Sequence, residues 1–88
     1  MKRLRLETKT EDVINVNDID LSKHVVLWKI DGKNRYILVK ESDSFNFAKI
    51  ENTRHAANGI HDTIESVITK TLGHINTLDN HSLEIYEL

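Results

Sequence analysis

The chain has 88 residues, a formal net charge of −2 at pH 7, and neither cysteine nor proline. This length fits one domain spanning residues 1–88 with a thin core, and the absence of cysteine excludes disulfides and thiolate metal sites. No apolar run reaches the roughly 18 residues of a membrane span, and no apolar stretch of a signal peptide follows the basic start, so we expect a cytoplasmic protein without membrane contact.

Alternation of polar and apolar residues predicts a first strand at residues 2–7. Its two leucines fall on one side and its charged residues on the other, which is the period of a half-buried edge strand. Residues 8–22 are ambiguous, because asparagine and aspartate, which favour turns, separate the apolar positions. We expect a short strand at residues 13–16, followed by a turn.

The dipeptide Asp31-Gly32 lies between two runs rich in β-branched and aromatic residues, which is the strongest short-range signal for a β-hairpin. The predicted strands are residues 24–30 and 35–41. One predicted face carries His24, Val26, Trp28, Ile30, Arg35, Ile37 and Val39. The other predicted face carries Val25, Leu27, Lys29, Tyr36, Leu38 and Lys40. Because both faces keep apolar residues, we expect both to be covered.

Beyond the hairpin, residues 45–51 predict a third strand. The period of the apolar residues then changes from 2 to 3.6, which predicts a long amphipathic helix at about residues 53–73. Asn52 or Thr53 is the expected N-cap of this helix. Gly73 is the expected stop, because glycine adopts the left-handed conformation at a helix end with little strain.

Residues 83–88 predict a last strand, so the predicted fold class is α+β: an antiparallel meander of four to five strands, one long helix on one face, and a C-terminal strand. A single helix covers one face of a sheet, so the second hairpin face needs either residues 8–22 or another molecule as its cover. We expect a homodimer, because C2 dimers are the commonest closed assemblies. The residues expected at the interface are Val25, Leu27, Tyr36 and Leu38.

Small residues on the predicted helix suggest a second contact surface. Gly59, Ser66 and Gly73 recur at intervals of seven residues, with Thr63 beside them, and such a stripe allows another backbone to approach closely. A simpler interpretation is that Gly73 only ends the helix and Gly59 marks a frayed first turn. Gly59, Thr63 and Ser66 are therefore candidate interface residues, while the simpler interpretation explains the two glycines without an interface.

The hairpin, residues 24–40, is also the basic part of a mildly acidic chain. Basic residues interleaved with aromatic ones can contact phosphates and stack on bases. The candidate nucleic-acid contacts are Lys29, Lys33, Arg35 and Lys40. Two observations oppose this alternative, because Trp28 shares its predicted face with apolar residues and the net charge is negative.

Polar residues of the predicted helix form a lesser alternative, a metal or acid–base site. His61 and Glu65, at i and i+4, are the best metal pair, but a zinc site needs three or four ligands. His55 and Asp62 would lie about 10 Å apart along a helix, too far to converge on one point. We expect no cofactor, no bound metal and no enzymatic activity.

These features predict a small non-enzymatic protein-interaction or regulatory module that self-associates. The sequence contains 10 isoleucines, 8 asparagines and 8 lysines, a bias typical of AT-rich coding DNA. We therefore expect an accessory protein of a phage or mobile element that inhibits or regulates a host protein.

Overall fold

The computed structural model describes the backbone of residues 2–6 and 13–88, and the side chains of residues 14–52, 57 and 59–88. The described strands are β1 (Lys2–Leu6), β2 (Val13–Ile14), β3 (His24–Ile30), β4 (Lys33–Glu41), β5 (Ser44–Lys49), β6 (Asn52–His61) and β7 (His81–Glu87). A 3-10 turn spans Val16–Asp18, and one α-helix, α1, spans Ile64–Ile75.

The strands form one sheet in the order β2-β1-β7-β3-β4-β5-β6. β1 and β2 run parallel, and the other described pairs are antiparallel. The predicted α+β class, with an antiparallel meander, a helix on one face and a C-terminal strand, is confirmed. The described sheet has seven strands, more than the predicted meander of four to five strands and the C-terminal strand together, because β6 takes the place of the first part of the predicted helix. No helix in the described ranges is long and apolar enough to cross a membrane.

The predicted hairpin is confirmed, with β3 and β4 joined by the two-residue loop Asp31-Gly32. Asp31 has φ 55° and Gly32 has φ 77°. Positive φ at both central residues is the mark of a type I′ turn, whose twist matches that of the flanking strands. β4 therefore begins at Lys33, two residues earlier than predicted.

A β-bulge changes which residues of the hairpin share a face. Ile30 pairs with Lys33 next to the turn, whereas Trp28 pairs with Tyr36 further along. Two steps along β3 thus correspond to three steps along β4, so β4 contains one extra residue. Because side chains alternate between faces, a shift of one residue moves every later side chain to the other face.

The prediction that Tyr36 and Leu38 share a face with Val25 and Leu27 is therefore wrong. Tyr36 packs against the core and its ring centroid lies 4.6 Å from that of Trp28. Leu38 is buried in the same core. The residues that do share a face with Val25 and Leu27 are Ile37 and Val39.

The core lies between the sheet and α1. The helix buries Val67, Ile68, Thr71 and Ile75, which follow the 3.6-residue period of one helix face. The sheet contributes Val26, Trp28, Leu38, Phe47 and Ile85 from its central strands. One face of these central strands packs against the helix, and the other face points away from it.

The structure corrects the predicted extent of the helix. Residues 53–61 belong to β6, and the helix begins after Thr63, whose Oγ1 accepts a hydrogen bond from the Ser66 amide at 3.0 Å. Gly59 has φ 80°, which an α-helix excludes. Asn76 is the C-cap, so Gly73 lies inside the helix and does not end it.

We expect Gly73→Ala to raise the free energy of unfolding by about 1 kcal/mol, because glycine is that much less favourable than alanine inside a helix. No atom lies within 4 Å of the Cβ that the substitution would add. Gly59→Ala should instead lower it by about 1–2 kcal/mol, because a Cβ strains a residue with positive φ. Urea denaturation of both variants measures the two changes in the free energy of unfolding. A loss for Gly73→Ala together with a gain for Gly59→Ala would favour a helix over residues 53–73.

Residues 13 and 14 form the edge strand β2, and residues 16–21 lie on the helix side of the sheet. Ile14 and Ile19 are buried in the core, and Val16 and Leu21 pack against it. The expected short strand and turn are present as β2 and the 3-10 turn. The possibility that residues 8–22 cover the second sheet face is thus wrong for residues 13–22, and residues 8–12 lie outside the described part of the chain.

Candidate functional site

The sheet face opposite α1, which we call the open face, is the largest candidate surface. Leu27 lies between the buried residues Val26 and Trp28 on β3, so its side chain points away from the helix. Directly paired residues on neighbouring strands share a face, which extends the assignment across the sheet. The residues of the open face whose side chains are described include Val25, Leu27, Lys29, Asn34, Ile37, Val39, Asn46, Ala48, Ser82, Glu84 and Tyr86.

Four aliphatic side chains at the centre of the open face are half-buried: Val25, Leu27, Ile37 and Val39. They remain more exposed than Val26 and Phe47 on the other face, which have no exposed surface. In the described ranges the only α-helix is α1, and it lies on the opposite side. These four side chains therefore form a contiguous, partly exposed apolar surface over β3 and β4, whereas Asn46 and Ala48 of the same face, on β5, are buried.

Two charged side chains of the open face, Lys29 and Glu84, form an ion pair. Lys29 Nζ lies 3.3 Å from Glu84 Oε1, and both side chains are mostly buried. Tyr86 donates its hydroxyl hydrogen to the same carboxylate. Glu84 pairs directly with Leu27, so the ion pair lies beside the aliphatic centre.

The other predicted interface residues do not form one surface. Gly59 lies in β6, Thr63 caps α1, and Ser66 lies in the first helical turn. The expected small-residue stripe on one helix is therefore wrong, because Gly59 is not helical. Tyr36 and Leu38 lie on the helix side, as described above.

The four candidate nucleic-acid contacts are divided between the two faces. Lys29 lies on the open face, whereas Lys40 pairs with the core-packed residue Phe45 and lies on the helix side. Arg35 lies 3.5 Å from Glu51 Oε1, and Lys33 is exposed at the turn. The structure does not bring these four residues into one basic patch.

The predicted core position of Trp28 agrees with the structure. Its side chain is buried, and its indole Nε1–H donates to His81 Nδ1 at 3.2 Å. The His74 ring packs edge-on against it, with ring centroids 5.9 Å apart. A buried indole with an occupied donor is not placed to stack on a base.

The polar cluster of the predicted helix is split between β6 and α1. His61 Nδ1 lies 2.8 Å from Ser66 Oγ, while Asp62 and Glu65 are exposed. The side chain of His55 lies outside the described part. No group of three or more His, Cys, Asp or Glu side chains in the described ranges is arranged to hold a metal ion.

A cleft of about 390 Å³ lies between the 3-10 turn and the start of α1, and Asp62, Glu65 and Phe45 are among its lining residues. An adjoining cleft includes Asp20. The Ser22 hydroxyl and then the Ser22 amide, both donating to Asp20 Oδ1, hold the pKa of that carboxyl below its ordinary value of 3.8. Asp20 thus holds its own turn through two acceptors: its carboxylate accepts from Ser22, and its backbone carbonyl accepts from the Lys23 and His24 amides.

The sequence pattern did not predict that Ile37, Val39, Glu84 and Tyr86 share one surface with Leu27. The bulge that turns Ile37 and Val39 outward has no distinctive residue in β4 that would have predicted it. Glu84 and Tyr86 belong to a strand that was predicted, but its place beside β3 depends on pairing across more than 50 residues. The only signal that the sequence contained for any of these four residues was the alternation within residues 83–88, which predicted the strand of Glu84 and Tyr86.

Comparison with protein-family models, with curated proteins and with solved structures found no match to this chain. Its function must therefore be inferred from its own residues. Among the described surfaces, the open face departs most from an ordinary solvated surface, because its aliphatic side chains are adjacent on neighbouring strands.

Proposed function

We propose that this protein is a non-enzymatic interaction module that binds protein through its open face. The observation that supports this most directly is the contiguous aliphatic surface of Val25, Leu27, Ile37 and Val39 on the side opposite α1. Small monomeric proteins rarely keep such patches in water, and a contiguous patch usually marks an interface. The protein partner is a second copy of the chain, a host protein, or each in turn.

The composition of the open face supports a protein partner over a nucleic acid. A phosphate backbone is bound by clustered cations, whereas the one lysine described on this face is paired with Glu84. The remaining basic candidates of the hairpin lie elsewhere, and the chain carries a net charge of −2. An apolar centre with a few satisfied polar groups is the usual composition of a protein interface.

The wider role that we propose is regulatory. The protein would act in the cytoplasm as an accessory protein of a phage or mobile element, and it would work by occupying a surface of a host protein. The small size of the chain and an amino-acid composition typical of AT-rich coding DNA support this source. The separated polar groups described above support an activity without chemistry, because general acid–base and metal catalysis both need groups that converge on one point.

Thiol labelling of single-cysteine variants tests whether the open face is available for binding, because the chain has no native cysteine. Val39→Cys on the open face should react with a maleimide in the folded protein at nanomolar concentration, at a rate below that of an unfolded peptide because the side chain is half-buried. Leu38→Cys, its neighbour in the core, should react only when the protein unfolds. If both thiols are equally protected in the folded monomer, the open face is covered by the chain itself and the proposal fails.

A further inference from the structure

We propose that this protein has a further binding site, separate from the open face: a small basic pocket that binds a phosphate monoester carried on an aromatic or other apolar group. The pocket is a cavity of about 250 Å³ lined by Ile30, Arg35, Tyr36 and Lys49. Ile30 and Tyr36 pack against the core, so the pocket opens on the helix side of the sheet, near the hairpin turn. We call it the basic pocket.

The bulge in β4 brings two consecutive residues to the basic pocket. In a regular strand, consecutive side chains point to opposite faces. Arg35 is the extra residue of the bulge, since Asn34 before it pairs with Lys29 and Tyr36 after it pairs with Trp28. A bulge interrupts the alternation and redirects a side chain. Arg35 and Tyr36 therefore line the same cavity, although they are neighbours in sequence.

Strand β5 supplies a second cation to the basic pocket. Lys49 pairs directly with Tyr36, and directly paired residues project from the same face of a sheet. Its side chain is half-buried, and it forms no ion pair with a carboxylate in the described part of the chain. Two like charges at one small cavity repel each other, and an anion bound between them removes that cost. The placement of Arg35 and Lys49 thus favours an anionic ligand.

Glu51, the partner of Arg35, balances at most one of these two cations. Arg35 Nη1 lies 3.5 Å from Glu51 Oε1, and the two side chains are 42% and 71% exposed. This distance exceeds the usual range for a hydrogen bond, and an exposed ion pair is weak. A phosphate monoester carries a charge of about −1.5 to −2 at pH 7 and three strong acceptor oxygens. It therefore matches Arg35 and Lys49 together better than a single carboxylate does.

The remaining walls of the basic pocket select an apolar group on the phosphate. Ile30 offers an aliphatic side chain, and the Tyr36 ring lies against the Trp28 ring, with centroids 4.6 Å apart and planes tilted by 34°. This packing fixes the tyrosine wall before a ligand arrives, which lowers the entropic cost of binding. The cavity is smaller than the roughly 300–1,000 Å³ of sites for drug-sized ligands, so the ligand is a small one.

A titration of the full chain with phenyl phosphate, followed by 1H–15N NMR, tests the site. We expect saturable shifts of the amides of the four lining residues, with a dissociation constant of about 1 mM or lower. Inorganic phosphate should bind about tenfold more weakly, because it lacks the apolar group. Phenol, which lacks the phosphate, should give no saturable shift. Each result contrary to these expectations would overturn the assigned ligand class.

Charge-neutral variants identify the groups that bind the phosphate. Arg35→Gln and Lys49→Gln should each raise the dissociation constant of phenyl phosphate by about tenfold, the usual effect of losing one charge-assisted hydrogen bond. Lys40→Gln is the matched control, because Lys40 is an exposed lysine on the same side of β4 but outside the pocket. Its dissociation constant should equal that of the wild type, and circular dichroism establishes that each variant is folded.

Glu51→Gln gives a readout that a purely structural role of Arg35 would not produce. Removing the competing carboxylate should lower the dissociation constant of phenyl phosphate by about two- to fivefold, because an exposed ion pair contributes that little. Weaker binding in this variant would contradict the proposal. Absence of shifts at the pocket amides in about 10 mM phenyl phosphate, or equal affinity of the wild type and both cation variants, would overturn it.

Discussion

Phe47→Ala is expected to lower the free energy of unfolding by about 3–5 kcal/mol, the usual cost of replacing a buried phenylalanine with alanine. Phe47 has no exposed surface and is the largest fully buried side chain described. Its ring meets Trp28 edge-on, with centroids 5.8 Å apart, and such aromatic pairs add to the effect of burial. A domain of this length has a total stability on the order of 4–13 kcal/mol, so the variant should lose a large part of it.

Urea denaturation followed by tryptophan fluorescence measures this effect, because Trp28 is the single tryptophan and lies in the same core. Phe45→Ala is the matched control, since Phe45 lies two residues away on the same side of β5 but is only half-buried. Its cost should be clearly smaller. Equal losses in the two variants would contradict the assignment of Phe47 to the centre of the core.

Leu38→Ala should lower the free energy of unfolding by about 2–5 kcal/mol, whereas Ile37→Ala should cost roughly 1 kcal/mol. The two residues are neighbours in β4, so strand propensity and position are closely matched. Leu38 is 4% exposed in the core under the helix, and Ile37 is half-buried on the open face. The comparison therefore measures which face of the hairpin the helix covers.

Both variants should be measured at low protein concentration, where a dimer would dissociate and the open face of each chain would be free. If the partner of the open face is a second copy of the chain, the cost of Ile37→Ala should grow at higher concentration, because self-association would bury that side chain, while the cost of Leu38→Ala should not. A larger loss for Ile37→Ala in the monomer would restore the face assignment that the uninterrupted alternation of the sequence predicts.

The hairpin shows which structural features a local sequence pattern can predict and which it cannot. Asp31 and Gly32 accept positive φ at low energetic cost, so the turn and its two strands were predictable from a few neighbouring residues. The bulge in β4 was not, because inserting one residue changes the register without changing the composition. Val25 and Leu27 were therefore expected at the candidate surface for the right reason, while Ile37 and Val39 were assigned to the opposite face.

Residues 52–61 show a conflict between local and long-range preference. Ala56, Ala57 and Ile60 continue the helical period of α1 towards the N-terminus, which is why one long helix was predicted. The structure instead pairs this segment with β5, through a ladder with two irregularities. Gly59 and the N-cap residue Thr63 were the local signals for the true boundary. Helical period alone could not outweigh the strand pairing, because propensity is weak against tertiary contacts.

The sequence by itself determined the α+β class, the hairpin turn, the C-terminal strand and the regular part of α1, because each depends on residues close together in the chain. Only the tertiary structure decided the insertion of β7 between β1 and β3, the face presented by β4, and the packing of residues 13–22 beside the helix. These features depend on pairing and burial between distant segments, whose energies no local pattern contains. The open face depends on all three of these tertiary features.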